Sequence, residues 1–339
     1  MNSRVGWLQF EVPQVREGGW QPSVFERYQR SEKALVATMR EMVIFGVSTR
    51  KVSEVLDAMA GFDVSASTVS NAMKELDDEI AEFRRRPLHD REYPFLVIDA
   101  RYENVRRNGK VVKCAVLIAA GISESGKREI LGFRVGDSEN EACWSDVLGD
   151  LKIRGLHGVR LVTSDAHGGI RKALAHHFQG VPWQRCRVHF MREMQKRASW
   201  KDQYELQRDL CSIFMPEEKK PCLIIAEEVA AKWSRQYPTM TRLLLEGVED
   251  CLSVKGMARG IQRRVETTNM MERLMREIKR RTRVVSIFPN EASCERFVGA
   301  VLIEYHESWL TEQRGAPYIS LADKNGRSLL PGGRPAGEP

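Results

Sequence analysis

Two aspartates close runs of apolar residues. Phe95-Leu-Val-Ile-Asp99-Ala100 and Leu161-Val-Thr-Ser-Asp165-Ala-His167-Gly168-Gly169 each end a stretch rich in Val, Ile and Leu on a carboxylate. A carboxylate in that position is costly unless it is paired or bound to a cation. Open α/β sheets place their sites at the C-terminal ends of strands, so Asp99 and Asp165 are candidates for one site. Two converging carboxylates repel unless a cation lies between them, which makes a divalent metal the natural partner. Either aspartate alone reads equally well as a turn cap; the pair argues for a site. His167 reads as a surface histidine.

A third carboxylate is harder to choose. Thr268 is placed to cap an amphipathic helix over 268–280, on which Asn269, Glu272, Arg273 and Arg276 share a face by i, i+3 and i+4 spacing. A carboxylate beside an amide and flanked by arginines suits a metal ligand next to a phosphate. Glu266 and Glu277 are its rivals. Glu277 reads more simply as a solvated partner of Arg273 and Arg281, and the whole helix reads equally well as a basic surface without chemistry.

Cys186 and His189 have the spacing of half a zinc site, with no second cluster near in sequence; His176 and His177 are the remaining candidates. Arg192, Lys196 and Arg197, with Arg276, Lys279, Arg280 and Arg283, are placed to bracket a phosphodiester groove. Taken singly, each reads as a solvated surface charge.

The elements that must hold these residues fall into two kinds. Residues 1–30, with Pro13, Pro22 and Gly18-Gly19, read as an extended lead-in. From 31 to 87 the apolar spacing is helical and predicts three short helices, broken at Gly46-Val47-Ser48 and over 61–67, with Ser48 and Ser65 or Ser67 as N-caps. The last two stand in helix-turn-helix order, which makes Ser67, Thr68 and Asn71 candidate DNA contacts beside Arg50 and Lys51. Beyond Pro87 the period becomes that of strands: 95–100, 111–121 and 129–135, the first pair joined through Arg107-Asn108-Gly109-Lys110. A helix over 140–152, a strand over 159–164, a helix over 169–178 and a strand over 183–188 follow. That order predicts an α/β protein with a ribonuclease-H-like mixed sheet, and a helical insertion over 190–262 precedes the last helices. Residues 88–310 are expected to form this catalytic domain, with a disordered Gly- and Pro-rich tail over 311–339.

Composition bounds the partners. The chain has 339 residues and a formal charge of +7, which favours a polyanion. Its seven cysteines are scattered, with no CxxC pair and no secretory start, as expected of a reduced cytoplasmic protein. No apolar run is long enough to span a bilayer. Neither GxxxxGK[ST] nor a GxGxxG after a strand occurs, so no nucleotide cofactor is indicated.

Together Phe25-Glu-Arg-Tyr-Gln-Arg30, Gly46-Val-Ser-Thr-Arg-Lys51, Val97-Ile-Asp99-Ala100, Thr163-Ser-Asp165-Ala-His167-Gly168, Cys186-Arg-Val-His189, Thr268-Asn269-Met-Met-Glu272-Arg273 and Ile287-Phe-Pro-Asn290 carry a likeness over residues 10–310. The chain resembles the bacterial Mutator-type insertion-sequence transposases of the DDE superfamily. The resemblance implies that Asp99, Asp165 and Glu272 are the catalytic, metal-holding triad. It also implies that Cys186 and His189 lie near the site, with Asn269, in a supporting part. Many relatives carry arginine where this chain has Glu266. Relatives also begin with further residues before the stretch matching 10–30, so part of the region that binds terminal repeats is expected to be missing here.

The implied activity is cleavage at insertion-sequence ends and joining of the 3′-hydroxyls to target DNA. Two Mg²⁺ ions, replaceable by Mn²⁺, are the expected cofactors. Double-stranded DNA, both terminal inverted repeats and target, is the expected partner, along with further copies of the chain; the location expected is the nucleoid. The rivals are a ribonuclease-H-like nuclease or resolvase, and a DNA-binding regulator with an inactive catalytic domain.

Overall fold

The Asn108-Gly109 turn starts the sheet. Both residues sit at positive φ, 49° and 77°, as the tight turn of a two-residue hairpin requires. It joins β1 (Phe95–Arg107) to β2 (Lys110–Ile122), paired antiparallel along their full length. In this computed structural model residues 33–60, 64–312, 317–322 and 328–330 are described, with Asn2, Ser3, Gly6, Trp7 and Gln9. The expected lead-in over 1–30 and disordered tail over 311–339 fall largely outside the described residues, but 317–322 are ordered: Ile319 and Leu321 are buried in the core, and the Ile319 N–H donates to the Gly126 carbonyl.

A second hairpin through Gly126 leads to β3 (Arg128–Gly136), antiparallel to β2. A bulge in β3 frees the carbonyls of Ile130 and Leu131, which Arg86 and the buried Arg154 take up. Two short parallel strands, β4 (Leu161–Ser164) and β5 (Trp183–Arg185), extend the other side of β1. The five-stranded mixed sheet has the order β3-β2-β1-β4-β5.

Both faces of the sheet are covered, which is why its strands read as continuous apolar runs. On one face Leu96, Ile98, Leu117 and Ala119 pack on Trp144, Leu148 and Ile170. These come from α5 (Glu141–Ile153) and α6 (Gly168–His177), with Asn140 capping α5 at Cys143 N–H. On the other, Phe95, Val97, Val116 and Ile118 share a core with the N-terminal helices and the last two helices of the chain.

Among the described residues the N-terminal helices number four: α1 (Lys33–Ile44), α2 (Thr49–Ala60), α3 (Ala66–Lys74) and α4 (Leu76–Arg85). Ser48 and Ser65 cap α2 and α3, as their sequence positions predict. The third expected helix is split at Glu75. Arg40 Nε takes the Ala72 carbonyl, which an unbroken helix would offer to Leu76, while the rest of its guanidinium holds Glu75 and Glu79.

A separate core joins Phe190, Leu206, Ala226, Trp233 and Leu244 in the insertion after β5. It is built from α7 (Arg187–Gln195), α8 (Gln203–Ile213), α9 (Lys219–Trp233) and α10 (Pro238–Gly247). Then α11 (Arg259–Val265), α12 (Asn269–Val285) and α13 (Glu291–Glu312) return to the sheet. Among the described residues no helix is long and apolar enough to cross a membrane. All seven cysteines are free, and five are buried.

Candidate active site

Strand register levels the two aspartates. β1 and β4 run parallel with Val97 beside Thr163, and the same offset of 66 (163 − 97 and 165 − 99) carries Asp99 to Asp165, one residue past the end of β4. The next pair, Ser164 with Arg185, likewise brings Cys186 level with Asp165, and Cys186 N–H donates to the Ser164 carbonyl at 2.7 Å. Asp99 is not at a strand end, as its short apolar run suggests. β1 continues to Arg107, and its pairing with β4 stops at Val97, which opens that flank of Asp99.

The continuation of β1 positions α12. Side chains alternate along a strand, so Arg101 and Glu103 point to the same face as Asp99. Arg101 donates to the Met275 carbonyl at 2.6 Å, and the Thr282 hydroxyl donates to Glu103 at 3.2 Å. α12 is thereby fixed along β1, with Glu272, in its first turn, towards Asp99. Burial raises the Asp99 carboxyl from 3.8 to about 6; His189 and the Ala100 N–H work against the shift, and Asp165 and Glu272 add to it. Glu272 itself pairs with Arg192 of α7 at 2.7 Å. Its rivals are held elsewhere, Glu266 by Arg187 and Glu277 by Arg280 and Arg281. The reading of Glu277 as a partner of Arg273 gives way to this, because Arg281 is buried and turned inward.

Cys186 is not on a strand, as the run over 183–188 suggests. β5 ends at Arg185, Cys186 precedes α7, and His189 lies in its first turn. The Thr268 N–H and hydroxyl reach the Cys186 sulfur at 3.3 and 3.5 Å, so Thr268 serves Cys186 instead of capping α12 with its side chain. Burial opposes a Cys186 thiolate, but His189 beside it outweighs burial and lowers the thiol. In return the thiol, followed by Asp99 and Asp165, holds the His189 imidazole up at about 9 against its own burial. His189 is thus a cation facing the carboxylates. His176 and His177 meet edge to face at the end of α6 and line a separate cavity with Lys152 and Phe178, so they do not complete a zinc site.

Known proteins are similar to this chain over most of its length. The family described as "Transposase, Mutator family" matches residues 1–312. The transposase for insertion sequence element ISRM5 of Rhizobium meliloti (strain 1021) is 41% identical over 321 residues, covering 95% of this chain and 80% of that protein. The transposase for insertion sequence element IS256 in transposon Tn4001 of Staphylococcus aureus is 38% identical, covering 92% and 80%. The transposase for insertion sequence element IS1081 of Mycobacterium tuberculosis (strain ATCC 25618 / H37Rv) is 36% identical, covering 94% and 77%.

The chain belongs to the Mutator family of transposases.

In this Mutator-family chain the donor set of Asp99, Asp165 and Glu272 is all carboxylate oxygen, the chemistry of a hard divalent cation. Among the described residues no three Asp, Glu, His or Cys side chains stand close enough to form a ready cage. Sharing an ion with Asp99 and Asp165 would require these side chains to shift from the positions they hold, in which Glu272 Oε1 meets Arg192.

The basic candidates divide by position. Arg192 is exposed on α7 and Lys196 just past its end, with Arg276 and Lys279 exposed on α12; Lys279 also acts on Glu103. Arg280 is committed to Glu277. Asn269 is exposed and lines a cavity of about 360 Å³ with Arg273, Tyr305 and Trp309. Lys51 pairs with Glu54, Arg50 lines a cleft with Ser70 and Phe297, and Ser67 and Asn71 are exposed. Thr68 is tied by its N–H to the Ser65 cap.

Sequence patterns missed Glu139. It is buried just before α5, and burial, followed by Asp165 and Asp99, raises it from 4.5 to about 7. Nothing in the sequence separates it from the acidic residues common at helix starts. Arg101 and Glu103 alternate with Asp99, and the period of two would have found them had the strand been extended to the Asn-Gly turn.

Proposed function

We propose that the chain is a DNA transposase of the DDE type, which cleaves insertion-sequence ends and joins the 3′-hydroxyls to target DNA. The observation that carries this reading is the register of β1 and β4. It sets Asp99 level with Asp165 beneath the helix that bears Glu272. The sheet order, with β2 antiparallel between β1 and β3 and a helical unit inserted ahead of α12, supports a ribonuclease-H-like assignment. Capped α2 and α3, with Ser67 and Asn71 exposed, support a helix-turn-helix reading of the N-terminal region.

Asp99, Asp165 and Glu272 would hold two Mg²⁺ ions. When bound, such ions activate the attacking oxygen and stabilise the leaving oxygen of an in-line displacement at phosphorus. Asp99 is kept in the site by burial and by the Ala100 N–H, 2.9 Å from Oδ1. His189 supplies a fixed positive charge that restrains Asp99 and Asp165 while no other cation is near. Arg192, released from Glu272, is free to meet a phosphate, and Lys196, Arg276 and Lys279 extend the same basic rim.

The test is strand transfer by purified protein with Mg²⁺ and a plasmid bearing the element's terminal repeats. Joined products are expected. Cleavage without joining would favour a nuclease, and DNA binding without either would favour a regulator. If Asp99→Asn and Glu272→Gln leave joining at the wild-type level, the proposed site is wrong.

A further inference from the structure

Four glutamates among the described residues are buried: Glu103, Glu129, Glu139 and Glu266. Three of them have an arginine. Glu103 has Arg101 at 2.6 Å, Glu129 has Arg91 at 2.9 Å, and Glu266 has Arg187 at 3.1 Å. Glu139 is 9% exposed and has none. Its Oε1 and the indole N–H of Trp144 are both buried without a well-formed hydrogen bond, and the nearby Trp144 N–H offsets only part of the rise that burial and Asp165 impose on the carboxyl. His167 Nδ1 stands 3.9 Å from that oxygen, but the same nitrogen accepts the Gly169 N–H at 3.3 Å, so it has no proton to give. The neighbouring charges that act on Glu139 are Asp165 and Asp99.

This placement is enforced by the backbone on both sides. The Glu139 N–H donates to the Tyr102 hydroxyl of β1 at 3.3 Å. On the other side the start of α6, just after Asp165, lies against the start of α5. A Cβ built at Gly169 would fall 2.7 Å from the Asn140 carbonyl carbon and 2.8 Å from the Glu141 nitrogen. Only a residue without a side chain lets the two helix starts approach so closely. The carboxylate therefore cannot swing away with its segment; it is held among like charges with one oxygen dry. A buried carboxyl in that condition either keeps its proton or takes a cation, and a cation shared with Asp165 would relieve both carboxylates at once.

We propose that Glu139 is a fourth carboxylate of the catalytic centre, taking a place with Asp165 in the shell of a divalent cation. The inference rests on the triad reading above. It adds a ligand from the start of α5 that the triad does not contain.

Mn²⁺ titrated into the full-length chain without DNA, followed by calorimetry, tests it. Glu139→Gln is expected to weaken Mn²⁺ binding tenfold or more. It is also expected to melt at or above wild type in EDTA at pH 8, because an unpaired buried charge has been removed. Glu139→Ala should weaken Mn²⁺ in the same way. Glu129→Gln, which breaks a paired carboxylate, should melt lower and bind Mn²⁺ as wild type does. Wild-type affinity in Glu139→Gln and Glu139→Ala, with loss of affinity in Asp99→Asn and Asp165→Asn, overturns the part given to Glu139 and leaves the triad standing. Wild-type affinity in all four removes the triad as well. A lower melting point of Glu139→Gln at unchanged affinity assigns the residue to structure alone and also overturns the proposal.

Discussion

Two clusters of charge are buried against the same helix, and they are built on opposite plans. At the C-terminal half of α12, Arg281 is almost wholly enclosed and every arm of its guanidinium is used. Nε meets Glu277 at 2.7 Å, one terminal nitrogen meets Glu304 at 2.9 Å, and the other also reaches the Ile44 carbonyl. This joins α12 to α1 and α13, and the two arginine partners hold Glu277 down at about 2. At the N-terminal end, Asp99 feels the charges of Asp165 and Glu272, Glu139 feels those of Asp165 and Asp99, and His189 and Arg192 are the nearby positive charges. The first cluster is complete as folded and serves the fold. The second is underpaired, and its two most buried carboxyls are raised to about 6 and about 7. Burial of charge alone does not mark a site; burial without a matching partner does.

The comparison breaks most visibly in activity. Asp99→Asn or Asp165→Asn should abolish strand transfer, a loss on the order of 10³-fold or more if the carboxylates hold the charge that the transition state needs. Arg281→Ala should leave the chemistry of the residual folded protein intact but cost about 3 kcal/mol in urea denaturation. That figure lies at the lower edge for a broken buried pair because Glu304 is partly exposed. A destabilised Asp99→Asn together with a neutral Arg281→Ala would invert the roles assigned to the two clusters.

How much of this could be read from residues alone differs between the sheet and the site. The hairpin followed from Asn108-Gly109, and the aspartates from the ends of their apolar runs. Their common level could not be read, because it depends on which strand β4 joins and at what offset. The division of the third N-terminal helix was invisible because its cause, Arg40, lies 32 positions from Ala72. The pairings of Glu266, Glu272 and Glu277 were open for the same reason. Each meets an arginine, two of these remote in sequence: Arg187 and Arg192 on α7, and Arg281 on α12. Local periodicity describes one helix face at a time, whereas pairing of charges is settled by what that face meets.

Dependence on pH sharpens the contrast at a smaller scale. Asp99 is raised from 3.8 to about 6 on folding, so its contribution favours the folded state below pH 4 and is lost as pH rises through 6. Glu277 is lowered from 4.5 to about 2, so its contribution is present above pH 4.5 and is lost as pH falls towards 2. Each tenfold change in proton affinity on folding is worth about 1.4 kcal/mol. In EDTA, Asp99→Asn should therefore stabilise the chain at pH 8 by roughly 2–3 kcal/mol, and by almost nothing at pH 4. Glu277→Gln should destabilise at pH 8. Denaturation midpoints measured at the two pH values give both signs, and a stabilisation by Asp99→Asn that is equal at pH 4 and pH 8 would exclude the electrostatic origin.

The smallest effect is expected where the two plans meet, at Arg192. It is half exposed, and a pair such as Arg192–Glu272 is worth about 0.2–1 kcal/mol once solvent screening is counted. Arg192→Ala should therefore barely move the melting point. It should instead free Glu272 and tighten Mn²⁺ binding by that same amount, roughly 1.4- to 5-fold. If the arginine also meets a phosphate after leaving Glu272, DNA binding should weaken, and the slope of its logarithmic salt dependence should fall by about one. The two readouts move in opposite directions because one cation serves two anions in turn. Were Arg192 only a surface partner of Glu272, the metal affinity would still tighten but the DNA slope would stay put. Were it only a phosphate contact, the slope would fall alone. The full exchange requires both.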